Sequence, residues 1–198
     1  MKKNSIHIIP SAEIDSIKWN EKIALEKSGL IYSTTTYLNT LTDYWCGIVV
    51  NDYEVIAAIP FRKKGFIHYC YTPNFIQQLG LIGSVNKETV KEIVGIIKKK
   101  FRYGSLQFNF SNNPALFFET YSKKTNFIVQ LNQPFEVISM GFRKDLKVNL
   151  EKSKYQLFDY IKSIDCKTAI EMYKSQNGAK MKNIRNKDYQ MLIEYCNT

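Results

Sequence analysis

The sequence predicts an α/β chain of the α+β kind, a mixed sheet flanked by helices, and three features point to it. A strand-like run near the start is followed by two amphipathic segments. Three runs rich in aromatic and β-branched residues then succeed one another with only short turns between them. Residues 87–101 (KETVKEIVGIIKKKF) carry apolar side chains at helical spacing. Composition agrees: of 198 residues, 44% are apolar, 14% aromatic and 23% charged, a balance that can bury a core and argues against general disorder. That length holds one substantial domain, or one domain and part of another.

In chain order, residues 5–10 (SIHIIP) predict a short strand stopped by Pro10. Ser11 is placed to cap a helix that runs through Ile14, Ile17, Ile23, Ala24 and Leu25 to a break at Ser28-Gly29, with Trp19 turned inward. Residues 34–42 predict a second short helix, with hydroxyl caps and apolar positions at Tyr37, Leu38 and Leu41. Residues 44–51 (YWCGIVVN) and 54–62 (EVIAAIPFR) predict two strands joined by a tight turn at Asp52-Tyr53. A reversal at Lys63-Lys64-Gly65 leads into a third strand over 66–72 (FIHYCYT), completing an antiparallel meander.

A loop, TPNFIQQLGLIGS, precedes the helix predicted at 87–101, whose Val90, Ile93, Val94, Ile97 and Phe101 form one stripe. Residues 105–110 (SLQFNF) and 126–131 (NFIVQL) alternate as strands do. From 136 to 154 the chain turns basic and helical, 155–163 predicts a strand, and 167–173 and 187–195 predict helices. This β-α-α restart divides the chain into a unit over 1–135 and a second over 136–198.

Several classes of function are excluded. The N-terminus MKKNSIHIIPSAE has Pro10 and Glu13 where a secretion signal needs an apolar run, and no apolar stretch approaches the roughly 20 residues of a membrane span. Cys46, Cys70, Cys166 and Cys196 form no CxxC pair, and His7 and His68 stand isolated, which argues against zinc and against a histidine-based triad. Reduced thiols and a cytoplasmic location are expected. The net charge of +10, from 28 basic and 18 acidic residues, suits an anionic partner such as tRNA, a nucleotide-linked precursor or a phosphorylated cofactor. Residues 141–198, with 12 basic and 7 acidic residues, carry half of it; a solvated lysine-rich surface is the plainer explanation. No carboxylate stands out as a general base, since Asp43, Asp52 and Glu54 lie at turns or strand ends, and no catalytic residue is assigned.

The predicted order of one strand, two helices, a three-stranded meander, a helix and a further strand is that of the GNAT-type acyl-CoA N-acyltransferase fold. The segments IYSTTTYLNTLTDYW, VIAAIPFRKKG, YTPNFIQQLGLIG, GFRKDLKVNLEK and MYKSQNGAKMKNIRNKDYQMLIEYC resemble those of the Fem peptidyltransferases, which join two such units. The resemblance extends over essentially the whole chain, with the second unit stopping before its own meander. It implies attack of an amine on an activated carbonyl, with aminoacyl-tRNA or acyl-CoA as donor substrate, no tightly bound cofactor and no metal. It also implies an anionic acceptor such as a nucleotide-linked peptidoglycan precursor. A non-catalytic GNAT-like binding or scaffold module with a basic surface is the competing expectation.

The resemblance assigns substrate-binding positions. Gln77 and Gln78 open a loop similar to the coenzyme A loop of GNAT enzymes, although Ile82 stands where that loop has a small residue and the second glycine is displaced to Gly83. Tyr37 lies where the family's first unit forms an acceptor-binding wall, and a core position is the alternative. Arg143 and Lys147, spaced i,i+4 on the linking helix, lie where the family contacts its nucleotide-linked precursor; a solvated helix face is the alternative.

Overall fold

The computed structural model describes residues 4–117, 120–156, 165–178 and 180–198. The chain divides into two compact units, Met1–Tyr121 together with Asp165–Thr198, and Ser122–Ile164. This differs from a division at residue 135. The last 34 residues fold with the beginning of the chain, because their final helix has an apolar face that the first unit covers.

The first unit is a mixed sheet flanked by helices. Its order is β1 (Ile6–Pro10), α1 (Ser16–Leu25), α2 (Thr35–Leu41), β2 (Tyr44–Val50), β3 (Val55–Lys64), β4 (Ile67–Cys70), β5 (Gly80–Ile82), α3 (Lys87–Lys100) and β6 (Tyr103–Gly104). The sheet runs β1-β2-β3-β4-β6; the first four strands are antiparallel, and β6 lies parallel to β4. Strand β3 is long enough to hold two neighbours along one edge: Phe61 to Lys64 pair with β4, and Ile56 to Ala58 pair with β5.

Alternation in β2 and β3 sorts side chains onto two buried faces. Cys46, Ile48, Val50, Val55, Ala57 and Ile59 meet the stripe Val90, Ile93, Val94, Ile97 and Phe101 of α3. Trp45, Val49, Ile56 and Ala58 meet Trp19, Ile23, Tyr37, Leu38 and Leu41 of α1 and α2. Trp19 is fully buried and its indole N–H donates to the Ser33 carbonyl at 2.8 Å, so a large apolar body is buried without an orphaned donor. Gly47 makes room for that ring, since a Cβ there would stand 2.7 Å from it.

Several boundaries depart from the expectations. Ser11 begins only a short 3₁₀ turn; Asp15 is the residue that caps α1, its carboxylate accepting from the Ile17 and Lys18 amides. The helix ends at Leu25, which is exposed. The β3–β4 turn is Gly65-Phe66, because Lys63 and Lys64 continue the strand opposite His68 and Ile67. The predicted loop 72–84 contains β5. Residues 105–110 form no continuous strand: Phe108 makes one parallel bridge to Leu79.

The second unit holds α4 (Phe135–Met140) and α5 (Lys144–Ser153). Residues 126–131, expected as a strand, have no strand partner among the described residues, and Phe127 and Leu131 are 90% and 80% exposed. Of the strand expected at 155–163, residues 157–163 lie outside the described residues, while Tyr155 and Gln156 lie in a turn. In the first unit again, α6 (Cys166–Asn177) and α7 (Asn186–Cys196) match the helices predicted there, and α7 packs against α2 through Met191, Leu192 and Tyr195.

Candidate functional site

A dense polar cluster of the first unit forms around Asp43, in the two-residue gap between α2 and β2. A carboxylate at a strand end is ordinary surface chemistry in sequence, but here β3, the segment after β4 and the start of α7 converge on it. Arg62 Nε donates to one carboxylate oxygen at 2.6 Å and Lys187 Nζ to the other at 2.9 Å, while an Arg185 nitrogen lies 3.6 Å away. The Tyr71 hydroxyl accepts from the Asp43 amide at 3.1 Å, and the Arg62 guanidinium stacks over the Tyr71 ring at 4.1 Å. Arg185 also grips Asp188 at 2.7 Å, and Asp188 accepts from the Asn74 side chain at 2.8 Å.

The electrostatics follow from this geometry. The Asp43 side chain is 15% exposed. Burial would raise its pKa, but hydrogen bonds from Lys187 and Arg62, with their charges, more than reverse this and hold the carboxyl well below the usual carboxylate range. Asp188 is treated likewise: burial opposes ionisation, and Arg185 and Asn74 overcome it. Both carboxylates therefore stay charged at neutral pH and serve as anchors for cations, a poor endowment for a general base. Three cations, Arg62, Arg185 and Lys187, face these two anions, and Lys187 remains 62% exposed at the rim. The arrangement fastens α7 to the sheet and leaves a positive margin.

The expected site residues are distributed over several places. Tyr37 is buried; its hydroxyl donates to the Phe75 carbonyl at 2.7 Å, and its ring meets Tyr32 and Tyr195 edge-on. Burial raises its pKa, and it stays a neutral phenol that ties α2 to the segment between β4 and β5. Gln77 is exposed, whereas the Gln78 side-chain oxygen accepts from the Phe110 amide at 3.2 Å. The backbone that follows is committed: Leu79 N–H donates to the Gln107 carbonyl, Leu81 N–H donates to Asn112 Oδ1, and Gly80 to Ile82 pair with β3. Amides used this way are not turned outward as a phosphate cradle.

In the second unit, Arg143 precedes α5, exposed and 3.3 Å from Asp145, and Lys147 Nζ donates to the Met140 carbonyl at 3.4 Å. These two, with Lys144, Asp145, Val148 and Asn149, line a shallow surface concavity. The structure thus keeps Arg143 and Lys147 in one concavity and places Tyr37 in the core. Sequence reasoning missed Asp43, Arg62, Arg185 and Lys187 as a group. The last two lie more than 120 positions from the first two, and no local pattern links them.

Among the described residues no cluster of His, Cys, Asp or Glu has the make-up of a metal site, and no helix is long and apolar enough to cross a membrane. No family model matches the sequence, and no curated protein or solved structure is significantly similar to it.

Proposed function

We propose that this chain is the GNAT-like, acceptor-binding part of a Fem-like N-acyl or aminoacyl transferase. One observation supports the reading: over residues 6–104 the first unit runs strand, two helices, three antiparallel strands, the short β5, a helix and the two-residue strand β6, an order compatible with a GNAT-like unit, to which α6 and α7 are added from the end of the chain. The chemistry on this reading is attack of an acceptor amine on the carbonyl of an aminoacyl-tRNA or acyl thioester. The protein's part is to position the two and to stabilise developing negative charge. The basic surplus at Lys187 and Arg185, and the Arg143 and Lys147 concavity, supply the charge an anionic acceptor requires.

The saturated state of Asp43 favours a second reading, a non-catalytic module that keeps such a fold for binding. A thermal-shift series with acetyl coenzyme A, a UDP-linked muramyl peptide and aminoacyl-tRNA separates the two. A ligand at about 100 times its Kd stabilises the folded state by about 2.7 kcal/mol. A shift with a donor and an acceptor is the expected result. Stabilisation by none of them would overturn the transferase reading.

A further inference from the structure

A second basic surface lies where the C-terminal end of α3 meets the β3–β4 hairpin. Lys98, Lys99 and Lys100 close α3, Arg102 follows, and Lys63 and Lys64 end β3; all six are exposed. Three aromatic contacts draw the elements together: Phe61 stacks on Tyr44, and it meets His68 of β4 and Phe101 beyond α3 at 5.5 and 5.4 Å. The helix end accounts for part of the charge, since cations at a helix C-terminus complement its dipole. It does not account for Lys63 and Lys64. None of the six forms a salt bridge among the described residues, and neither 61–71 nor 93–117 contains an acidic residue. The six charges thus stand without an ion-pair partner among the described residues.

At the hairpin tip the chain exposes apolar surface. Gly65, with φ of +58°, and Phe66 form the two-residue turn; Phe66 is fully exposed, and Ile67 beside it is 44% exposed. A phenylalanine at a hairpin tip does nothing for the core, and serine or asparagine would suit the turn better. An apolar tip flanked by Lys63 and Lys64, with the lysines that close α3 and Arg102 beyond the base of the hairpin, has the make-up of a surface that seats in the boundary of an anionic bilayer, the apolar groups entering below the headgroups and the cations remaining among them.

One open ring, Phe66 at the tip, is a poor platform for single-stranded nucleic acid, which stacks successive bases on several aromatic faces. Tyr44 is already stacked on Phe61 and carries the Lys63 ammonium over it at 4.5 Å, and Tyr103 has the Arg102 guanidinium 5.8 Å from its centre. Ile67 offers no ring.

We infer that the β3–β4 hairpin tip and the cations around it form a peripheral binding surface for anionic phospholipid membranes. The test is co-sedimentation of the full chain with vesicles of phosphatidylcholine, with and without phosphatidylglycerol. Binding to the anionic vesicles alone, weakened by added salt, is expected. The double variants Phe66→Ser/Ile67→Ser and Lys63→Glu/Lys64→Glu should each lower the partition coefficient at least about tenfold, with unchanged melting curves, since all four side chains are exposed. Equal binding to neutral vesicles, binding that survives both double variants, or no vesicle binding alongside capture of a single-stranded RNA oligonucleotide that Lys63→Glu/Lys64→Glu abolishes, would each overturn the proposal.

Discussion

The β2–β3 hairpin and residues 122–156 are both rich in apolar side chains, yet they end in opposite states. In β2 and β3 the stretches from Trp45 to Val50 and from Val55 to Ile59 are buried on both faces, under α3 on one side and α1 and α2 on the other. In 122–156 no described residue is buried, although Phe127, Val129, Leu131, Phe135, Leu146 and Leu150 are all there. NFIVQL alternates as well as YWCGIVV does. The difference is a neighbour: a strand needs another strand for its N–H and C=O groups and a facing layer for its side chains, and pattern supplies neither.

Mutation sharpens that contrast, the largest effect being expected in the core. Ile93→Ala removes a fully buried side chain facing the sheet and should cost about 3 kcal/mol in denaturant unfolding, whereas Leu146→Ala should stay within about 0.5 kcal/mol. Equal losses at the two sites would show that the second unit has a core of its own.

Asp43→Asn should come next, at about 2 kcal/mol, because it leaves Arg62 and Lys187 without their carboxylate in a partly screened site. Since the folded pKa lies below the unfolded one, the stabilisation is complete above the ordinary carboxylate range near pH 4 and is lost as pH falls toward the folded value. Unfolding measured down that acid range should show a smaller loss in Asp43→Asn than in the parent, the remainder coming from Asp188.

Hydrogen exchange reads the same comparison without mutation. Amides paired between β2 and β3 should be protected, and those of residues 126–131, which have no strand partner among the described residues, should exchange close to the unprotected rate. Smallest of all is Lys147→Ala. Its ammonium makes one long bond to a carbonyl on an exposed helix, so stability should move by less than about 0.5 kcal/mol, while calorimetric affinity for a UDP-linked precursor falls if the concavity binds it.

The sequence by itself determined the elements whose cause is local. The stripe on α3 is a 3.6-residue period that any apolar surface would read, and β1, α2 and the meander follow from period-two runs punctuated by turn residues. Local chemistry also misled: Ser11 has the chemistry of a cap, but Asp15 caps α1, because its carboxylate reaches two amides of the turn that follows. Only the tertiary structure decided which apolar runs found partners, and it turned GLI into a strand because Ile56 to Ala58 had an open edge. It also decided the fate of charge and aromatic groups. Tyr37 became core when α7 closed over it, and Asp43 gained three cations from residues 62, 185 and 187. Burial and ion pairing depend on what stands opposite a side chain, and in this chain the opposing groups come from positions that no local period can connect.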